Sequence, residues 1–208
     1  TTHDDKAGVA AGVVECFQKC LEDNHIDPDD VIFIAHSTTQ TTNALLEGDV
    51  ANVGIIAGGD NPLTAFIIKK QTKLGNIPLV TGRYIKTMTE YVDKKHLDKE
   101  EVRRRIKKLV GEGAQIIVGT EIYGVDDDRL EAMVAEVAKE EGLYVTRASE
   151  ISKLYGLAIR SRTAAVNASI LPKMLETADS TERSVKSTGV KAPLMIMRGD
   201  GGVMSWEE

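Results

Sequence analysis

The chain has 208 residues, 42% of them hydrophobic and 28% charged, with a formal net charge of −6. That length suits one large domain or two small ones with a proper core, and the acidic balance argues against a surface built to bind nucleic acid. No apolar run approaches the roughly 20 residues that span a bilayer and no signal peptide opens the chain, which reads as cytoplasmic.

Residues 6–23 place Ala10, Val13, Val14, Phe17 and Leu21 on one stripe and predict an amphipathic helix, capped by Asp4 or Asp5 and ended by Asn24 and Pro28. Cys16 and Cys20 sit on that helix, where a disulfide would strain the backbone, so they read as reduced thiols in or near the core. Val31 to His36 follows as a strand that empties into Ser37, Thr38, Thr39, Thr41 and Thr42, with Asn43 opening a short helix to Leu46. One helix cap, worth about 1 kcal/mol, needs one such residue, and this turn carries more. Hydroxyls that meet the first N–H groups of a helix make an anion-sized site. His36 beside them is a general base, a hydrogen-bond donor or a strand-end residue satisfied by backbone.

Val53 to Ala57 is a second buried strand, closed by Gly58-Gly59-Asp60. Residues 61–76 are ambiguous, with a short helix through Leu63, Phe66, Ile67 and Ile68 as one reading, and Pro78 to Lys86 resembles a strand bulged at Gly82-Arg83-Tyr84. The polar segment around 72–97 is expected to join two lobes. That divides the chain into 1–71, holding the threonine turn, and 72–208, holding a glycine-rich turn, unless both belong to one domain.

Asp98 to Val110 predicts a helix with Asp98 as cap and Glu101 in the capping-box position. Its basic run, Arg103-Arg104-Arg105 with Lys107 and Lys108, is matched by Asp98, Glu100, Glu101 and Glu112 and reads as a solvated face. Ala114 to Val118 is a strand ending at Gly119-Thr120-Glu121. A helix over 126–141 follows, capped by Asp126-Asp127-Asp128, and then a strand from Leu143 to Thr146. A helix from about Ile159 to Glu176 is kinked or restarted at Pro172, a polar connector covers Thr177 to Thr188, and Pro193 to Met197 is the final strand. Strands that are continuously apolar and alternate with helices indicate an α/β fold with a mostly parallel sheet covered on both faces. Such sheets bind ligands at the carboxyl ends of their strands.

The last turn, Arg198-Gly199-Asp200-Gly201-Gly202, is such an end. Its glycines let backbone N–H groups approach a ligand and leave Asp200 free for a metal ion or a polar substrate group. The alternative is a tight loop in which Asp200 makes only a local turn bond. Arg160 and Arg162, opening a helix, either clamp an anion or pair with the acidic surface.

Three stretches occur in order: HSTTQTTNALLEG from His36, RSRTAAVNASILP from Arg160, and MRGDGGVMS from Met197. Together they resemble the hydantoinase A/5-oxoprolinase family, which typically carries HGTT-x-ATNALLE, an arginine–threonine step with VNA and a later proline, and MQSNGGLMS. Ser37 and Thr41 replace a glycine and an alanine of the first motif, and Arg198, Gly199 and Asp200 replace the middle of the last. The resemblance implies an actin-like, ribonuclease-H-like ATPase lobe, with ATP and Mg²⁺ as cofactors of the parent protein. It implies the opening of a cyclic amide, a hydantoin or a lactam, with a hydantoinase B-like companion subunit. On that reading His36, Thr38, Thr39, Asn43, Arg162, Gly201 and Gly202 bind substrate or phosphate, and Asp200 binds metal. It also implies an interior piece of a longer protein, because the family's glycine-rich phosphate loops are not among these residues. The rival within the same superfamily is a chaperone-like ATPase that reactivates a partner enzyme.

Overall fold

The computed structural model describes residues 8–37, 39–80, 82–198 and 201–205. In chain order the elements begin with α1 (Gly8–Asp23), β1 (Ile34–His36), α2 (Thr39–Glu47), β2 (Val53–Gly59) and α3 (Pro62–Thr72). A hairpin of β3 (Ile77–Pro78) and β4 (Tyr84–Ile85) leads into β5 (Thr87–Asp93), α4 (Lys99–Gly111), β6 (Ile116–Glu121) and α5 (Arg129–Glu140). The chain closes with β7 (Tyr144–Arg147), α6 (Ala148–Ile151), α7 (Leu157–Lys186), β8 (Leu194–Met197) and β9 (Val203–Ser205). The cap expected at Asp4 or Asp5 lies outside the described residues.

The chain forms two units: Ala44–Pro172, and Thr1–Asn43 with Lys173–Glu208. The division expected at 71/72 is corrected by β5. Residues 53–59 and 87–93 pair in parallel from Val53 opposite Thr87 to Gly59 opposite Asp93, so both sides of position 71 share one sheet. TMTEYVD carries no clear strand pattern because an edge strand is only half buried and mixes polar with apolar residues.

In the Ala44–Pro172 unit the strands run in the order β5-β2-β6-β7, all parallel. Every residue of β2 and of β6 is buried, as strands covered on both faces require. One face packs Ile56 and Ile117 against Ile106 and Leu109 of α4 and Val134 and Val137 of α5. The other packs Ile55, Ile116 and Val118 against Ala164, Ala165 and Ala168 of α7, with Ile77 and Ile85 of the hairpin. Each fully buried aliphatic side chain contributes about 1.5–3 kcal/mol. The single strand expected over 78–86 is instead the short β3–β4 pair, turned with Gly82 at φ +75°.

Asp98 caps α4 as expected, its carboxylate accepting from the Glu101 N–H at 3.2 Å. The basic face of α4 pairs across elements as well as within the helix. Arg103 meets Glu100, Glu140 and Glu141, while Arg105 and Lys108 both reach Glu90 of β5. Such exposed pairs contribute about 0–1 kcal/mol each, so they guide packing more than they hold it.

The other unit carries β1-β8-β9, with β1 parallel to β8 and a β8–β9 hairpin. Leu21, Val185, Val190 and Ala192 form one cluster with Phe17, and Ala178, Leu194 and Ile196 form another. The connector expected over 177–188 is therefore helical as far as Lys186, because Ala178, Thr181 and Val185 bury a stripe at helical spacing. Pro172 sits inside α7 without ending it, and in the same turn the Ser169 carbonyl takes a hydrogen bond from the Ala51 N–H at 2.8 Å. Cys16 and Cys20 are exposed, not near-core, since the stripe through Val13, Phe17 and Leu21 turns them outward.

A Cβ at Gly58 would meet the side chain of Leu130 and lie 2.8 Å from the Val92 carbonyl oxygen, whereas one at Gly111 meets nothing within 4 Å. Gly58→Ala is expected to cost about 1–3 kcal/mol in urea denaturation. Gly111→Ala, at the last turn of α4, is expected to be neutral or to add up to about 1 kcal/mol.

Candidate functional site

The parallel register sets Ile34 opposite Leu194 and His36 opposite Ile196, so the segments after His36 and after Met197 leave the three-stranded sheet at one rim. At that rim the Ser37 and Thr39 hydroxyls lie 3.0 Å apart, beside the first turn of α2. First-turn N–H groups have no intrahelical partner, so hydroxyls and amides together suit an anionic oxygen.

The helix starts at Thr39, earlier than the expected Asn43, and this disperses the polar cluster. A helical turn of about 3.6 residues spreads consecutive residues around its axis. Thr41 is consequently buried while Thr42 and Asn43 are exposed on α2. Thr38, Gly199 and Asp200 lie outside the described residues. Burial of the His36 ring lowers its pKa from the ordinary histidine value, which favours the neutral imidazole at pH 7.

The glycine turn is tighter than the sequence suggests. The Gly201 N–H, at φ +86°, donates to the Arg198 carbonyl at 3.0 Å, and the Arg198 N–H donates to the Gly202 carbonyl at 2.7 Å. Gly201 thus spends its amide inside the turn, and the expectation that it is open to a ligand is corrected.

Arg162 belongs to the Ala44–Pro172 unit and is exposed on α7. Its neighbour Arg160 is fully buried, donating to the Leu154 carbonyl at 2.7 Å and to the Glu121 carbonyl. It ties the end of β6 to the segment before α7, a backbone role and not a clamp on an anion.

In the same unit the helices after β2 and after β6 cover opposite faces, which makes the gap between these two strands a topological switch point. Glu121 ends β6 there and is only 1% exposed. One carboxylate oxygen accepts from the N–H groups of Leu130 and Glu131 at 3.1 and 3.4 Å, and the other takes Lys94, which also lies 2.9 Å from the Asp127 carboxylate. Glu131, equally buried, accepts from the Ser149 N–H at 2.8 Å and the Glu121 N–H at 3.3 Å.

Glu121 therefore caps α5 more deeply than the expected aspartates do. Asp127 accepts from the Arg129 N–H at 3.3 Å, Asp128 makes no cap bond but pairs with Arg147, and Asp126 accepts from Tyr155 at 3.0 Å. Burial opposes the charge of Lys94, and Glu121 with Asp127 overcome it, leaving its pKa above the ordinary lysine value. Burial pushes Glu121 and Glu131 upward, whereas Arg129 and Lys94 hold Asp127 far below the usual carboxylate range. Lys94 was not legible as part of this cluster. The available signals were Glu121 at the end of an apolar strand and Glu131 on the apolar stripe of α5.

Among the described residues no group of three acidic, histidine or cysteine side chains converges to hold a metal ion. Among them, too, no helix is long and apolar enough to cross a membrane.

Residues 1–142 match the family described as hydantoinase/oxoprolinase N-terminal region, and residues 160–208 match the family described as hydantoinase/oxoprolinase. Two solved structures share the fold: an ATP-dependent caprolactamase from Pseudomonas jessenii (TM-score 0.66, 16% identity) and a nucleotide-free acetone carboxylase (TM-score 0.62, 13% identity). Each similarity covers 98% of this chain, and the chain spans 32% of the caprolactamase and 33% of the carboxylase. No curated protein sequence matches it.

Lys94→Met leaves Glu121 buried without its cation and is expected to cost about 3–5 kcal/mol at pH 7. Glu121 has a raised folded-state pKa, so the variant's deficit should shrink as pH falls through that value and grow as pH rises through it. Urea denaturation between about pH 5 and about pH 8, with Lys94→Met/Glu121→Gln recovering much of the loss, checks this.

Proposed function

Because the chain belongs to the hydantoinase/oxoprolinase family, we propose that its parent protein is an ATP-dependent enzyme that opens a cyclic amide, a hydantoin or a lactam, in the cytoplasm. The observation that carries the reading is the β1–β8 register, which brings the hydroxyl turn and the glycine turn to one rim. The two structural neighbours support a small carbonyl substrate, since one is named for a lactam and the other for a ketone, and both are ATP-dependent.

A lactam resists hydrolysis because nitrogen donates into its carbonyl. Transfer of the γ-phosphoryl group of ATP to the carbonyl oxygen forms a new P–O bond, breaks the bond to ADP and leaves an imidate carbon open to water. Water adds, the C–N bond breaks with nitrogen taking a proton, and a second water cleaves the resulting acyl phosphate to the carboxylate and inorganic phosphate. Ser37 and Thr39 hold an oxygen of the phosphoryl group or of the substrate carbonyl, and the neutral His36 ring accepts the proton of the attacking water. Thr38, Asn43 and Gly202, and separately Arg162 of the other unit, are carried as binding groups on the family resemblance. Asp200, which departs from the family motif, is proposed as a Mg²⁺ ligand because it is the carboxylate of the glycine turn, with no step assigned to the ion. A hydantoinase B-like companion subunit belongs to the same reading.

The test measures ADP and ring-opened acid formed by the intact protein from ATP with hydantoin, 5-oxoproline, caprolactam and, with bicarbonate, acetone. Thr39→Ala is expected to lower kcat for the accepted substrate about 10²-fold. ATP consumption without ring opening, accompanied by revival of an inactivated partner enzyme, would instead establish the reactivating ATPase.

A further inference from the structure

A slot of about 590 Å³ runs along the outer edge of β5, floored by Thr87 to Tyr91 and walled by Lys69 and Lys73 on one side and Arg105 on the other. β5 ends the sheet order, and no strand lies beyond it among the described residues. The Lys86 carbonyl accepts from the Val53 N–H at 2.9 Å, and the alternation of a parallel ladder then turns the backbone groups of Thr87, Thr89 and Tyr91 outward.

Their side chains leave that edge uncovered. The Thr87 and Thr89 hydroxyls donate to the Gly75 and Thr72 carbonyls at 2.6 and 3.0 Å, and the Tyr91 hydroxyl donates to the Gly59 carbonyl at 3.1 Å. Helices α3 and α4 cover opposite faces of the sheet, so the space between them is one layer deep. A further strand, at about 4.8 Å from β5, fits it.

Charge distinguishes the two walls. On the α4 side Arg105 and Lys108 both pair with Glu90, at 2.7 and 2.6 Å. On the α3 side no carboxylate among the described residues pairs with Lys69 or Lys73, and the Lys69 ammonium lies 4.9 Å from the centre of the Tyr91 ring. A strand edge guarded only against aggregation carries its charge on the strand or under a covering segment. Here the lysines stand on the wall and the edge is open.

We propose that β5 is a docking edge for an extended acidic segment of a partner polypeptide, which adds as a strand to Thr89 and Tyr91 and sets its carboxylates against Lys69 and Lys73. A second copy of this chain is a poorer occupant. It would bring the same lysines to the slot from both sides, while Glu90, the acid at the middle of β5, is already engaged by Arg105 and Lys108.

The probe is a fluorescein-labelled hexapeptide of alternating glutamate and valine, titrated into the intact protein. A lysine–valine hexapeptide and an N-methylated glutamate–valine hexapeptide run alongside. The acidic peptide is expected to bind about tenfold tighter than either control, and Lys69→Glu/Lys73→Glu to remove that preference. Hydrogen exchange is expected to slow at the Thr89 and Tyr91 amides. Equal binding of the N-methylated peptide, absence of binding up to about 1 mM, or a dimer in sedimentation that already protects those amides each overturns the proposal.

Discussion

Glu121 closes a strand whose residues are all buried, and a carboxylate in that position must be answered from several directions at once. Two N–H groups of α5 answer it from one side and the Lys94 ammonium from another, while its own backbone carbonyl holds Arg160. An unpaired charge there would cost several kcal/mol, so the start of α5, the segment after β5 and the segment before α7 are constrained together. The carboxylate joins elements that the apolar core alone leaves free to slide, because hydrophobic contact is non-directional.

Around that junction the sheet is ordinary in its physics. Parallel strands with both faces covered demand helices above and below, and the alanines of α7 let that helix lie close to Val53, Ile55 and Ile116. The three-stranded sheet of the other unit is smaller, and its use lies in register. Two chain reversals that are about 160 residues apart in sequence emerge side by side because β1 and β8 run the same way.

What could be read from the sequence followed the strength of the local pattern. The helices at Lys99–Gly111 and Arg129–Glu140 carry clear apolar stripes, and the strands from Val53 and Ile116 open on apolar runs, so all were visible. β5 was not, because TMTEYVD derives its pairing from β2 and from tethers to Gly75 and Thr72 that only the folded chain supplies. The step from β1 into a helix was legible after His36, but the helix start was misplaced, since threonine is a weak helix former that tertiary contacts override. Within the arginine–threonine motif, Arg160 and Arg162 differ in burial, and nothing in RSRT distinguishes the arginine that goes inside.

The glycines opposite α5 have a consequence for acidity. A Cβ at Gly119 would approach the Glu131 Cα to 3.1 Å, so the helix rests almost directly on strand backbone at this point. That intimacy draws the Glu131 carboxyl below the protein surface, where it favours keeping its proton more than a solvated glutamate does. The close approach of α5 at Gly119 is one of the contacts that bury the Glu131 carboxyl.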